Sequence, residues 1–133
     1  MNRKRPGIVL GVLLLGAAFV VSISAINEWV GKRNTEYGEQ YAENGFDKIQ
    51  VGMSSESVVS LIGDPVSRDP HDDYPVWALQ EDSVRNRLGK DSKIKLVVWS
   101  YSSPKNPRRD YELIHVSIGP GNKVIGKERW VTD

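Results

Sequence analysis

The chain has 133 residues, of which 18 are Lys or Arg and 17 are Asp or Glu, giving a formal charge of +1. It contains no cysteine, so disulfides, thiolate metal sites and cysteine nucleophiles are all excluded. Setting aside Arg3, Lys4 and Arg5, 15 of the 18 basic residues remain against 17 acidic ones, a balance of −2. That lacks the basic surplus of a nucleic-acid-binding domain.

Arg3, Lys4 and Arg5 precede residues 7–26, which carry no charge. At ~1.5 Å per residue a helix of that length crosses a hydrocarbon layer of roughly 30 Å. The flank that follows is mixed, with Glu28, Lys32, Arg33, Glu36 and Glu39. Residues 1–26 are therefore expected to be a transmembrane anchor, with the short N-terminus cytoplasmic and the rest exported. Trp29 falls where an interfacial aromatic belongs. The rival reading is a cleaved signal peptide ending among small residues such as Ser22 and Ser24.

Residues 27–45 are polar, with interior glycines, and are expected to be a tether holding residues 46–133 off the bilayer. Tyr37 and Tyr41 are its main apolar feature, and their alternative role is to dock on the domain or on a partner. Residues 46–65 then read FDKIQVGMSSESVVSLIGDP. Gly52 breaks the lead-in, Ser54 is an N-cap and Glu56 sits where the helix dipole favours an anion. Val58, Val59, Leu61 and Ile62 form one apolar stripe, while Gly63 and Pro65 end the helix.

This segment resembles the SmpA/OmlA family, the BamE-like small lipoproteins of the bacterial outer-membrane β-barrel assembly machinery. The resemblance is carried by Phe46, Ile49, Gly52, Met53, Ser54, Val58, Leu61, Ile62, Gly63 and Pro65, and more weakly by Trp99, Tyr101 and Ser102. It implies a BamE-like domain over residues 46–133, with envelope or barrel-assembly proteins as partners. The helix-then-sheet plan is also similar to that of secreted β-lactamase-inhibitor proteins. The family carries a lipidated cysteine that this chain lacks. An inner-membrane anchor with a periplasmic domain is therefore expected in place of an outer-membrane location.

Residues 64–75, rich in Pro and Asp, are expected to be a loop, and residues 77–88 a second helix ended by Gly89. Three strands follow. Residues 94–102 place Val97, Trp99 and Tyr101 on one face. Residues 111–118 place Ile114, Val116 and Ile118 on one face, and residues 124–131 close the chain after the turn GPGNK. The expected fold class is α+β: two short helices packed on one face of a three-stranded antiparallel sheet, preceded by the transmembrane helix.

No constellation reads as a catalytic, cofactor or metal site. His71, Asp72 and Asp73 are adjacent and read as solvated loop residues, and His115 points away from the Ile114 and Val116 face. Ser54 lacks the flanking glycines of a nucleophile elbow and serves as a cap. Glu81 and Asp82 diverge on a helix, and no helix follows Gly119, Gly121 and Lys123 to make a phosphate loop. Lys105, Arg108 and Arg109 form the densest basic patch outside the N-terminal flank. They read as a solvated hairpin tip or as a contact for an acidic partner or anionic lipid headgroups, each charge contributing roughly 1 kcal/mol at such a membrane. Trp77 and Trp130 are expected to be packing residues. The sequence thus points to a non-enzymatic, membrane-anchored interaction module in envelope assembly or maintenance, with a released inhibitor or binding module as the alternative.

Overall fold

The computed structural model describes residues 25–132. The predicted membrane segment lies outside them, apart from its last two residues. Among the described residues no helix is long and apolar enough to cross a membrane. Helix α1 occupies residues 25–33, followed by β1 (Thr35–Tyr37), α2 (Glu43–Lys48) and α3 (Ser55–Ile62). Next come β2 (Ser67–Pro75), a 3-10 turn (Val76–Ala78) and α4 (Asp82–Leu88). The chain ends with β3 (Lys93–Ser100), β4 (Ser102–Pro104), β5 (Glu112–Gly119) and β6 (Lys123–Val131). The α+β class holds. The main sheet is antiparallel in the order β2-β3-β5-β6, and β1 and β4 form a separate antiparallel pair.

Helix α3 follows its sequence signals closely. The Ser54 hydroxyl accepts from the Ser57 N–H at 3.2 Å, and Gly63 closes the helix at φ +79°, where a side chain would be strained. A Cβ at Gly45 would run into the Leu61 carbonyl, so glycine there lets α2 lie directly against α3. The entry to α3 is stitched to β6: Gly52 N–H donates to the Val124 carbonyl and Val124 N–H to that of Met53, both at 2.8 Å.

Period-two alternation sends Ile114, Val116 and Ile118 of β5 to the same face as Val97 and Trp99 of β3. There they pack with Phe46, Ile49, Val58 and Ile62 from the α2–α3 region and with Tyr101. The buried Tyr101 hydroxyl donates to the Gly63 carbonyl at 3.1 Å, which satisfies the helix end. Leu96 and Val98 alternate to the opposite face. A bulge between Ser117 and Ile118 lets Ile125 join Leu96 there, under Val76, Leu79 and Val84.

Several expectations need correction. The sheet has four strands, because residues 67–75 pair with β3 in place of forming a loop. An edge strand tolerates Pro70 and its charged neighbours, while the backbone groups of buried β3 require a partner on that side. The predicted helix over 77–88 divides into the 3-10 turn and α4, which lie on the second face of the sheet with no common lid. Both Trp77, at 69%, and Trp130, at 45%, are exposed. Residues 27–45 belong to the fold: α1 ends on the domain at buried Gly31, β1 pairs with β4, and Tyr37 stacks on Tyr41 with centroids 5.5 Å apart.

Candidate functional site

Three regions collect charged or polar side chains. The first is a buried network that seats the N-terminal segment on the sheet. Glu112 is in phase with Ile114 and Val116, so its carboxylate enters the covered face and is only 5% exposed. It accepts from the Tyr37 hydroxyl at 2.5 Å and from Arg129 Nε at 2.6 Å. Arg129 also pairs with Glu43, which Lys32 approaches to 3.7 Å. Thr35 bridges the end of α1 to β5, donating to the Gly31 carbonyl at 2.7 Å and accepting from Glu112 N–H at 2.8 Å. Burial, reinforced by the bond to Glu112, raises the Tyr37 hydroxyl far above its ordinary value. Burial, opposed by the Arg129 cation and aided by nearby carboxylates, pushes Tyr41 up to about 12. Burial works against the Arg129 cation, but its hydrogen bonds to Glu112 and Glu43 outweigh that and keep it protonated. The Arg129 pairing holds Glu43 below the usual carboxylate range. The alternation that predicted β5 already placed Glu112 on the buried face, a signal the sequence reading passed over.

The second region is the basic loop between β4 and β5. Asn34, immediately after α1, holds it in shape: its side-chain amide donates to the carbonyls of Asn106, Arg109 and Asp110 at 3.0–3.1 Å and accepts from Asn106 N–H at 3.0 Å. Lys105 Nζ donates to the Arg33 carbonyl at 3.2 Å, at the negative end of α1. Arg109 lines a 390 Å³ depression with Trp29, Val30, Arg33 and Asn34, and the Arg33 guanidinium lies 4.5 Å from the Trp29 ring centre. Neither Arg108 nor Arg109 has an ion-pair partner among the described residues. Lys105 and Arg109 thus meet the end of α1, where Ile26, Trp29 and Val30 are exposed, while the Arg108 N–H donates to Asn106 Oδ1 within the loop itself.

The third region is a 540 Å³ cavity on the second sheet face, beyond the part that α4 covers. Two cross-strand rows contribute to its floor and rims. Asp69, Val98, Ser117 and Gly126 are successive partners across β2, β3, β5 and β6 and all line it. His115 and Glu128 line it from the adjacent row, which continues outside the cavity through Ser100 and Ser67. His71 and His115, far apart in sequence, line this one cavity with Asp69 and Glu128. Burial lowers the pKa of His115, opposed by Asp69, and its ring meets Trp130 edge-on at 6.2 Å. Among the described residues no three His, Asp or Glu side chains are placed to hold a metal ion. Asp72 lies apart from the cavity and approaches Lys95 to 3.6 Å at the surface. Ser54 is engaged as the α3 cap.

Comparison with protein-family models, curated proteins and solved structures returned no match to this chain.

Proposed function

We propose that this chain is a membrane-anchored protein-interaction module that works by contact and not by catalysis, its folded domain facing the periplasm at the surface of the inner membrane. The observation that carries this reading is the attachment of the basic loop to the end of α1. Asn34 and Arg33 bind residues 105–110 directly, so Lys105, Arg108 and Arg109 sit a few helical turns from the uncharged run 7–26. Were that run to span the bilayer, the loop would lie within about 10–15 Å of the headgroups, given ~1.5 Å rise per residue. That is roughly one to two Debye lengths at physiological salt, so its attraction to anionic lipid would be strongest at low ionic strength. Exposed Trp29 and the cation over its ring suit the interface between water and lipid. The SmpA/OmlA resemblance of residues 46–65 supports a role as accessory factor in outer-membrane protein assembly or envelope maintenance.

The test is fractionation of native membranes followed by flotation of the purified full chain with vesicles of neutral or anionic lipid. An intact Met1 end in the membrane fraction is expected, with Arg108→Glu/Arg109→Glu weakening retention on anionic vesicles only. A soluble form beginning near Ala25 would overturn the anchor in favour of a released binding module. Equal vesicle retention by the charge-reversed variant would remove the loop from the contact. Crosslinking that never captures a barrel-assembly component would count against the assembly role.

A further inference from the structure

A glycine at position 126 is not required by the fold. Its φ lies outside the left-handed region, and a Cβ built there would meet no atom within 4 Å, although the residue is buried. A strand interior favours β-branched side chains, and an unneeded glycine weakens it. Such glycines often mark a place where something else approaches the backbone. Here the open space is the cavity on the second sheet face, of which Gly126 forms one end of the floor.

The cavity has a consistent character. Its walls carry the carboxylates of Asp69 and Glu128, and no Lys or Arg lines it. Neither carboxylate has an ion-pair partner among the described residues. Burial favours neutral His115, so that ring adds no positive charge at neutral pH. Val98 supplies apolar floor, and Leu79 and Tyr74 supply apolar and aromatic walls. Trp130 stands beside His115, exposed to solvent.

We infer that this cavity is the docking site for an arginine side chain presented by a partner protein. A guanidinium pairs with a carboxylate through a planar fork and lies flat on aromatic rings, while its three-carbon stem covers apolar surface. Trp130 at the rim gives the flanking backbone of the partner an apolar contact, as a central anchor in a protein interface requires. The inference rests on the reading of this chain as an interaction module, and it is independent of where the chain is anchored.

The test titrates full-length protein in nonionic-detergent micelles with a blocked arginine tripeptide and with its neutral citrulline counterpart, following the His115 imidazole signals and Trp130 fluorescence. Saturable changes are expected with the arginine peptide and not with citrulline. Gly126→Val, which fills the floor, and Asp69→Asn/Glu128→Gln, which removes the charge at the surface, are each expected to weaken binding about tenfold or more. Because the second variant leaves the floor intact, a folding defect in the first would not rescue the proposal. Equal response to both peptides, no response to either, or binding unaltered in the charge-neutral variant would overturn it. Free argininamide binding as tightly as the peptide would make this a small-molecule cation site and overturn the partner-protein occupant. Loss of the membrane anchor would leave all of these outcomes unchanged.

Discussion

The two faces of the main sheet are built from alternate residues of the same strands, yet they differ in how far they are closed. One face is covered by α2 and α3 along its length, and its polar rim of Glu112, Arg129, Glu43 and Tyr37 is satisfied internally. The other is covered only where the 3-10 turn and α4 lie over Leu96 and Ile125, leaving the floor of Val98, His115, Ser117 and Gly126 open. A closed face contributes stability, while a half-closed face keeps polar groups and aromatic rings available to another molecule. Stability and recognition are thus divided between the two sides of one sheet.

The comparison can be broken most severely at the network on the closed face. Arg129→Met leaves the Glu112 carboxylate buried without its cation and is expected to cost about 3 kcal/mol in chemical denaturation. Replacing both partners, Arg129→Met with Glu112→Leu, should recover most of that loss, because an apolar pair carries no desolvation penalty. A single variant as stable as the wild type would show that the network does not seat the N-terminal segment.

The contrast between the faces is sharpened by paired truncations. Ile114→Ala, at a fully buried position on the closed face, is expected to cost about 3 kcal/mol. Val98→Ala, partly buried in the cavity floor, should cost about 1 kcal/mol, since less packed surface is lost. Equal losses would mean that the second face is as tightly closed as the first.

The smallest expected effect is a pH dependence on the open face. The folded-state pKa of His115 lies below its ordinary value of 6.5, chiefly through burial and against the pull of Asp69. Its contribution to stability is therefore present above about pH 6.5 and is lost as pH falls from there through the folded-state pKa. His115→Gln should reduce the drop in melting temperature between about pH 7.5 and about pH 5. An unchanged drop would mean that His115 is not the group titrating.

The legibility of the chain follows the range of the interactions involved. Helix α3 was readable residue by residue, because its cap, its stripe and its Gly63 stop act over a few positions. Strands β3, β5 and β6 were readable from alternation and from the GPGNK turn, which forms a 3-10 turn with Asn122 and Gly121 at positive φ. Strand β2 was not, since the two X-Pro steps and charged residues of SRDPHDDYP suit an extended loop as well as a strand; its pairing is imposed by β3. The basic loop was visible as a run of charge, but its contact with α1 depends on Asn34, which lies 72 residues before Asn106. The cavity was invisible for a similar reason. Its two histidines and two carboxylates come from three strands and meet only through sheet register.

From its residues alone the chain specified an α+β domain, one capped helix, three antiparallel strands and an uncharged leading segment, all of which depend on neighbours close in sequence or on simple periodicity. Only the folded chain decided that residues 27–45 join the domain, that a fourth strand completes the sheet, and that α4 takes the face opposite α2 and α3. Those outcomes depend on which buried backbone groups and apolar faces remain to be satisfied once the local elements have formed, and that is a property of the whole arrangement.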